Sequence, residues 1–244
     1  MMDLDFTSRT VLVVGGSSGI GNGIAQAFRL KGAEVHIWGT RAHAGQYAHE
    51  AGSDLTGLHY AQLDVADGAA IDRYRPPFER LDILVLAQGI VIYQRGEFNP
   101  ERFRQVVEVN LNSLMACSIK FHDMLAAAKG SLIIVSSTAA FHSTRGNPAY
   151  NASKTGAYGL TRTLAEAWAG DGIRVNGIAP GLVDTKLTKA TTDHPQRLAA
   201  ALARIPLGRL GTPADMAGVA LFLASPLAAY VVGQTIVVDG GLIL

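Results

Sequence analysis

The chain has 244 residues, 48% hydrophobic and 17% charged, with a formal net charge of +1. That length and apolar content suit one α/β domain with a large core and exclude a disordered chain. The 21 Lys and Arg nearly balance the 20 Asp and Glu and form no basic block, so nothing points to a nucleic-acid partner. The single Cys117 excludes an intrachain disulfide, reads as a buried helix residue and fits a reducing compartment. The acidic start Met1-Met2-Asp3-Leu4-Asp5 runs into a strand pattern and reads as no signal peptide. No apolar run reaches the roughly 18 residues that span a bilayer. The expected location is the cytoplasm.

Strand and helix patterns alternate along the chain. A strand over 10–14 precedes a helix over 19–31. A strand over 34–38 is followed by a short helix over 44–51, and a strand over 57–63 by a weak helix over 69–74. Then come a strand over 83–87 with a long helix over 100–128, and a strand over 132–136 with a helix over 148–169. A strand over 174–179 precedes helices over 196–203 and 213–224, and a strand over 235–238 closes the series. Thr212-Pro213-Ala214-Asp215 carries a capping hydroxyl, a proline at the first helical position and an acid in the first turn. Continuous apolar strands between helices predict a doubly wound, Rossmann-type parallel sheet in a single α/β domain over 1–244. There is no internal repeat, low-complexity tract or linker. Ligands of such sheets bind beyond the carboxyl ends of the strands, so the loops after each strand are where chemistry is expected.

The first of these loops reads Val14-Gly15-Gly16-Ser17-Ser18-Gly19-Ile20-Gly21 and opens a helix. Glycines tighten the turn and admit a phosphate to the backbone, and the helix start offers free N–H groups. A nucleotide triphosphatase loop is a poorer match, because Gly21 is followed by Asn22 and not by Lys. The second strand ends Trp38-Gly39-Thr40-Arg41. An NAD site usually has an acid at the place of Gly39. Its absence, with Arg41 nearby, points to NADP over NAD, although Arg41 also reads as an ordinary solvated side chain.

Further on stand Ser137 and, thirteen residues later, Tyr150-Asn151-Ala152-Ser153-Lys154. One helical turn separates Tyr150 from Lys154, and a cation there is expected to lower the phenol's pKa. Ser137 is placed to hold a substrate oxygen beside that phenol, a proton-transfer site suited to a carbonyl or carbinol. Alone, the Tyr/Lys pair also reads as a helix-surface couple; the glycine turn before it changes that.

The glycine turn, the serine before Tyr150-x-x-x-Lys154, and Pro180-Gly181 after a strand occur in the order of one family. With the last segment from Val232 to Gly241, they make the whole chain resemble the short-chain dehydrogenase/reductase family in its standard-length branch. That branch includes 3-oxoacyl-carrier-protein reductases and related alcohol and steroid dehydrogenases. The resemblance implies Tyr150 as acid/base, Lys154 as its modulator and ribose ligand, Ser137 as substrate-orienting hydroxyl, and Asn110 as the fourth catalytic residue. It implies cofactor contacts from Gly15, Ser17, Ser18, Gly19, Ile20 and Gly21, from Thr40 and Arg41, and from Asp64 and Val65 at the adenine. It adds Pro180, Gly181, Val183 and Thr185 on the nicotinamide side. The family also implies homodimers or homotetramers, and the apolar end Leu242-Ile243-Leu244 reads as a buried subunit contact.

Departures from the pattern are local. Leu86-Ala87-Gln88-Gly89 replaces Asn-Asn-Ala-Gly, keeping the glycine, and Val14 replaces a threonine. Leu86, Ala87 and Gly89 remain expected cofactor neighbours, with Val14 and the loop exchanging a polar contact for an apolar one. The segment 64–82, containing Pro76-Pro77, predicts a truncated third helix.

Ile90, Val91, Ile92, Tyr93, Ala139, Ala140, Phe141, His142 and Leu182 are expected to wall an apolar substrate pocket under a lid near 183–205. The implied activity is NADP-dependent hydride transfer to a small carbonyl compound, or from the corresponding alcohol. The alternatives are an NAD-linked dehydrogenase and a silent nucleotide-binding sensor. No metal is expected, because the 7 His show no ligand spacing.

Overall fold

Every residue from Thr10 to Val14 is buried, and together they form β1, an interior strand of a seven-stranded parallel sheet. A strand covered on both faces needs apolar side chains on both, so Val11, Leu12, Val13 and Val14 follow one another without alternation. The computed structural model describes residues 4–244; Met1, Met2 and Asp3, part of the start read as no signal peptide, lie outside them. The other strands are β2 (Glu34–Gly39), β3 (His59–Gln62), β4 (Ile83–Leu86), β5 (Ser131–Val135), β6 (Arg174–Pro180) and β7 (Thr235–Val238). Their spatial order is β3-β2-β1-β4-β5-β6-β7, all in parallel register. The order reverses between β1 and β4, which opens a crevice beyond their carboxyl ends.

The helices are α1 (Gly19–Leu30), α2 (Gly68–Arg73), α3 (Pro100–Val107), α4 (Ser113–Ala128), α5 (Pro148–Trp168), α6 (Lys189–Thr192), α7 (Pro195–Leu202) and α8 (Pro213–Ala224). Strand alternation divides the core. Leu12, Val14 and Trp38 pack with Phe121 and Leu164 on one face, while Val11, Val13 and Ile37 pack with Ile24 and Phe28 on the other. Among the described residues no helix is long and apolar enough to cross a membrane.

Three expectations change. The helix expected over 100–128 is interrupted by a π-helical turn at Glu108–Asn112, between α3 and α4. The helix expected over 44–51 is a single 3₁₀ turn, Ala44–Tyr47. The strand expected from 57 starts at His59, because Gly57 holds a positive φ of 72° and turns the chain. The short third helix is as expected: α2 has 6 residues, capped by the Asp67 side chain on the Ala70 N–H.

Candidate active site

The start of α5 brings the acid/base candidates to the carboxyl end of β5. Pro148 occupies the first turn, and Tyr150 and Lys154 follow one turn apart. The Ser136 hydroxyl donates to the Lys154 carbonyl at 2.8 Å, fixing α5 to the strand end. Ser137, the next residue, stands by the Tyr150 phenol and acts to lower its pKa, while its Oγ accepts from the Ala139 N–H at 3.1 Å. Three candidates separated by up to 17 positions thus share one site.

Electrostatics at this pair differ from expectation. Burial pushes the Tyr150 phenol above its ordinary value, the nearby Ser137 hydroxyl opposes the rise, and Tyr93 and Glu97 add to it. Burial alone brings Lys154 down to about 8. The ammonium donates to the Val135 carbonyl at 3.0 Å and lies 5.7 Å from the centre of the Tyr150 ring. Desolvation of both groups therefore outweighs the lowering of the phenol that the one-turn spacing suggested.

Asn110 sits in the π-turn, fully buried, and is held at both ends. Its Oδ1 accepts from the Ile90 N–H at 2.8 Å, and its Nδ2 donates to the Ile90 carbonyl at 2.9 Å. The extra residue of a π-turn re-aims a side chain inside a helix, here toward the loop after β4. A Cβ on Gly89 would lie 3.4 Å from Lys154 Nζ and 3.6 Å from Asn110 Oδ1, which places this loop directly against both groups.

Glu97 was not picked out from the sequence, yet it organises the site. It is 1% exposed, and its carboxylate accepts from the Ile92 N–H, the Asn147 side chain and the Tyr150 N–H at 3.0, 3.3 and 2.9 Å. It caps α5 from outside and ties it to the 90–99 loop. No spacing rule could reveal its link to α5, since Asn147 and Tyr150 lie 50 and 53 residues away. Tyr93, expected as pocket wall only, donates its hydroxyl to the Leu187 carbonyl at 2.6 Å, joining this loop to the segment after β6.

Beside these residues lies a cavity of about 500 Å³ between the glycine turn and the ends of β2, β3 and β4. Gly15, Ser17, Ser18, Gly19, Ile20 and Gly21 line one wall. Thr40, Asp64, Val65, Ala87, Gly89 and Thr185 line the others. The turn fits a pyrophosphate: a Cβ on Gly15 would meet the Gln88 backbone at 2.8 Å, and one on Gly21 would strike the Gly15 carbonyl at 2.2 Å. Ser18 starts α1 without bonding the helix's N–H groups, which leaves its hydroxyl free.

Other expected contacts lie elsewhere. Leu86 is a fully buried core residue of β4, and Val183 points into the core on the α8 side, 2% exposed. Pro180 ends β6, and Gly181 follows with its N–H on the Val238 carbonyl. Arg41 does not line the cavity: its guanidinium binds the Gln46 carbonyl and the Glu50 carboxylate and covers the Tyr47 ring. Lys186, after β6, lines the cavity and pairs with Glu50 as well. Val14 and Ala87 meet through a backbone hydrogen bond of 3.0 Å, and the polar contact in this loop comes from Gln88, whose Nε2 donates to Ser113 at 2.9 Å.

Comparison with known proteins agrees with this geometry. A family model described as Enoyl-(Acyl carrier protein) reductase matches residues 14–243. A 3-oxoacyl-[acyl-carrier-protein] reductase of Chlamydia pneumoniae is 39% identical over 251 residues, covering 99% of both chains. A 2-dehydro-3-deoxy-D-gluconate 5-dehydrogenase of Bacillus subtilis is 39% identical over 243 residues, covering 96% of this chain and 94% of its own. The Pseudomonas aeruginosa RhlG/NADP complex superposes over the full length of both chains with a TM-score of 0.90 at 31% identity. The Ser137–Tyr150–Lys154 cluster, the glycine-turn cavity and these matches place the chain in the short-chain dehydrogenase/reductase family, oxidoreductases that act on CH–OH groups and their carbonyl counterparts.

Proposed function

We propose that the protein is an NADP-dependent reductase of carbonyl compounds, reversible toward secondary alcohols, with Tyr150 as the acid/base. The observation that carries this reading is the convergence of Ser137, Tyr150 and the buried Lys154 ammonium at the carboxyl end of β5. The bound dinucleotide supplies or accepts the hydride. Ser137 and Tyr150 offer two hydroxyls to one substrate oxygen. A phenol raised by burial keeps its proton at neutral pH, so it is ready to protonate that oxygen in the reducing direction. Lys154, mostly cationic below its pKa of about 8, offsets the phenolate that this transfer leaves. Asn110 holds the Ile90 backbone and so fixes the loop in front of both.

The choice of NADP rests on the end of β2. Gly39 carries no acid, and a Cβ there would lie 2.8 Å from both Ser17 Oγ and the Tyr47 hydroxyl. Lys186 and Arg41 supply positive charge nearby. RhlG is described in complex with NADP. The apolar wall of Ile90, Tyr93, Phe141 and Leu187, under a lid over 183–205, suits a substrate with an apolar chain. Exposed Tyr230 and Leu244 suit a homodimer or homotetramer, and buried Cys117 suits the cytoplasm.

The test is a panel of 3-oxoacyl thioesters, keto sugar acids, ketosteroids and small ketones, followed by NADPH and NADH oxidation. Turnover of at least one carbonyl with NADPH preferred supports the reading. NADH preference across the panel favours the NAD-linked alternative, and binding of NADPH without any turnover favours the sensor. Light scattering in solution decides the subunit number.

A further inference from the structure

We propose that Glu34, His36 and His59 form a binding site for a divalent transition metal, zinc above all, at the end of the sheet remote from the dinucleotide cavity. Glu34 is the first residue of β2, whereas Gly39, the last, lines the cavity. The three side chains share a face by register. His36 and His59 are paired residues of β2 and β3, and Glu34 precedes His36 by two positions. The sequence shows no ligand spacing because the set spans two strands 23 residues apart.

The donor atoms converge. The Glu34 Oε1 lies 3.0 Å from His36 Nε2 and 3.9 Å from His59 Nε2, and one donor atom from each residue lies within 4.8 Å of the others. Tetrahedral zinc with bonds of about 2.0–2.2 Å sets its donors roughly 3.3 Å apart. His36 is the fixed arm: its side chain is 6% exposed and held against Phe78, with ring centres 4.6 Å apart. Glu34 and His59, 56% and 62% exposed, are the arms that close. The two imidazoles stack at 4.7 Å and 22°, so an ion in the plane of both requires His59 to turn out of that stack. Two imidazoles and one carboxylate favour zinc, cobalt or nickel over the all-oxygen coordination of calcium or magnesium. Solvent completes the fourth position.

The helix before the Phe78 segment, α2, is short. It ends at Arg73, and the chain from Tyr74 to Leu81, with Pro76 and Pro77, forms no helix or strand. A metal here ties the edge strand β3, only 4 residues long, to β2.

The experiment titrates tag-free protein with zinc chloride by calorimetry, with cobalt absorption as a second readout. One equivalent is expected, weakened at least about tenfold in His59→Ala and Glu34→Gln and unchanged in His122→Ala. Zinc is expected to raise the melting temperature of the wild type and not of His59→Ala. The cobalt spectrum of the wild type should show nitrogen ligation that His59→Ala loses. Equal zinc affinity in wild type and His59→Ala, or no binding at roughly millimolar zinc, overturns the proposal.

Discussion

The Glu97 carboxylate accepts a hydrogen bond from the Tyr150 backbone N–H at 2.9 Å, 53 residues away in sequence. Its other oxygen takes the Ile92 N–H and the Asn147 amide, so every polar neighbour it has is a donor. Glu97→Gln puts an NH₂ group against at least one of these donors and costs about 1–3 kcal/mol of stability. It also removes a negative charge that raises the Tyr150 phenol. The tyrosine-dependent limb of the kcat/KM profile is therefore expected to move to lower pH, alongside a lower urea midpoint. A stability loss with an unmoved pH profile would confine Glu97 to holding the loop.

Tyr150→Phe separates chemistry from binding. Tyr150 does not line the dinucleotide cavity, so removal of its hydroxyl leaves that cavity intact. Turnover is expected to fall by about 10²–10⁴-fold, with NADPH affinity nearly unchanged. Stopped-flow hydride transfer and fluorescence titration of NADPH measure the two. Near-normal turnover would remove Tyr150 from the acid/base role.

How much of this was legible in the sequence follows from the range of each interaction. The glycine turn, the Tyr150–Lys154 spacing and the alternating elements are local patterns, and the fold and the site's position follow from them. The Tyr150 shift was misjudged because spacing reports which groups are near and not how much water they lose. Glu97 and the Arg41–Glu50–Lys186 contacts depend on which distant loops meet, so no local pattern announces them. The π-turn under Asn110 was hidden because an unbroken helical pattern over 100–128 accommodates one extra residue without a visible break. Leu86 shows the converse: a strand residue next to a motif is core by alternation, whatever the motif.

Lys154 gives the fold a distinctive pH dependence. Its folded pKa of about 8 lies below the unfolded value of about 10.4. Between those values the unfolded chain holds a proton that the folded chain has lost, so stability rises with pH across that window. Below pH 8 the buried ammonium costs on the order of 3 kcal/mol, and the cost is relieved by about pH 10.4. Urea unfolding of the wild type minus Lys154→Met at roughly pH 7.5, 8.5 and 9.5, from just below this window to well inside it, should show the wild type gaining. A flat difference would mean that Lys154 titrates normally.

Glu50 competes for the positive charge at the adenosine end. It pairs with both Arg41 and Lys186, so a cofactor 2′-phosphate must share these cations with a carboxylate. Glu50→Gln removes the competitor and is expected to tighten NADPH by roughly three- to tenfold, with little effect on NADH. The gain should shrink as salt is raised. Weaker NADPH binding in this variant would mean that Glu50 positions the cations.

Gly39→Asp asks whether an acid at the NAD-type position can be accommodated. Its Cβ would lie 2.8 Å from the Tyr47 hydroxyl and 2.9 Å from Ser17 Cβ, so the end of β2 must shift before the carboxylate reaches a ribose. The new charge also opposes a 2′-phosphate, which costs NADPH about tenfold or more in affinity. NADH gains nothing in the single variant, because the clash remains. Adding Tyr47→Phe removes one of the two clashing oxygens and should recover NADH binding in part, leaving NADPH weak. Fluorescence titration of both cofactors against the three proteins measures this. Tighter NADH binding in Gly39→Asp alone would show that the packing of Tyr47 and Ser17 does not decide the choice of cofactor.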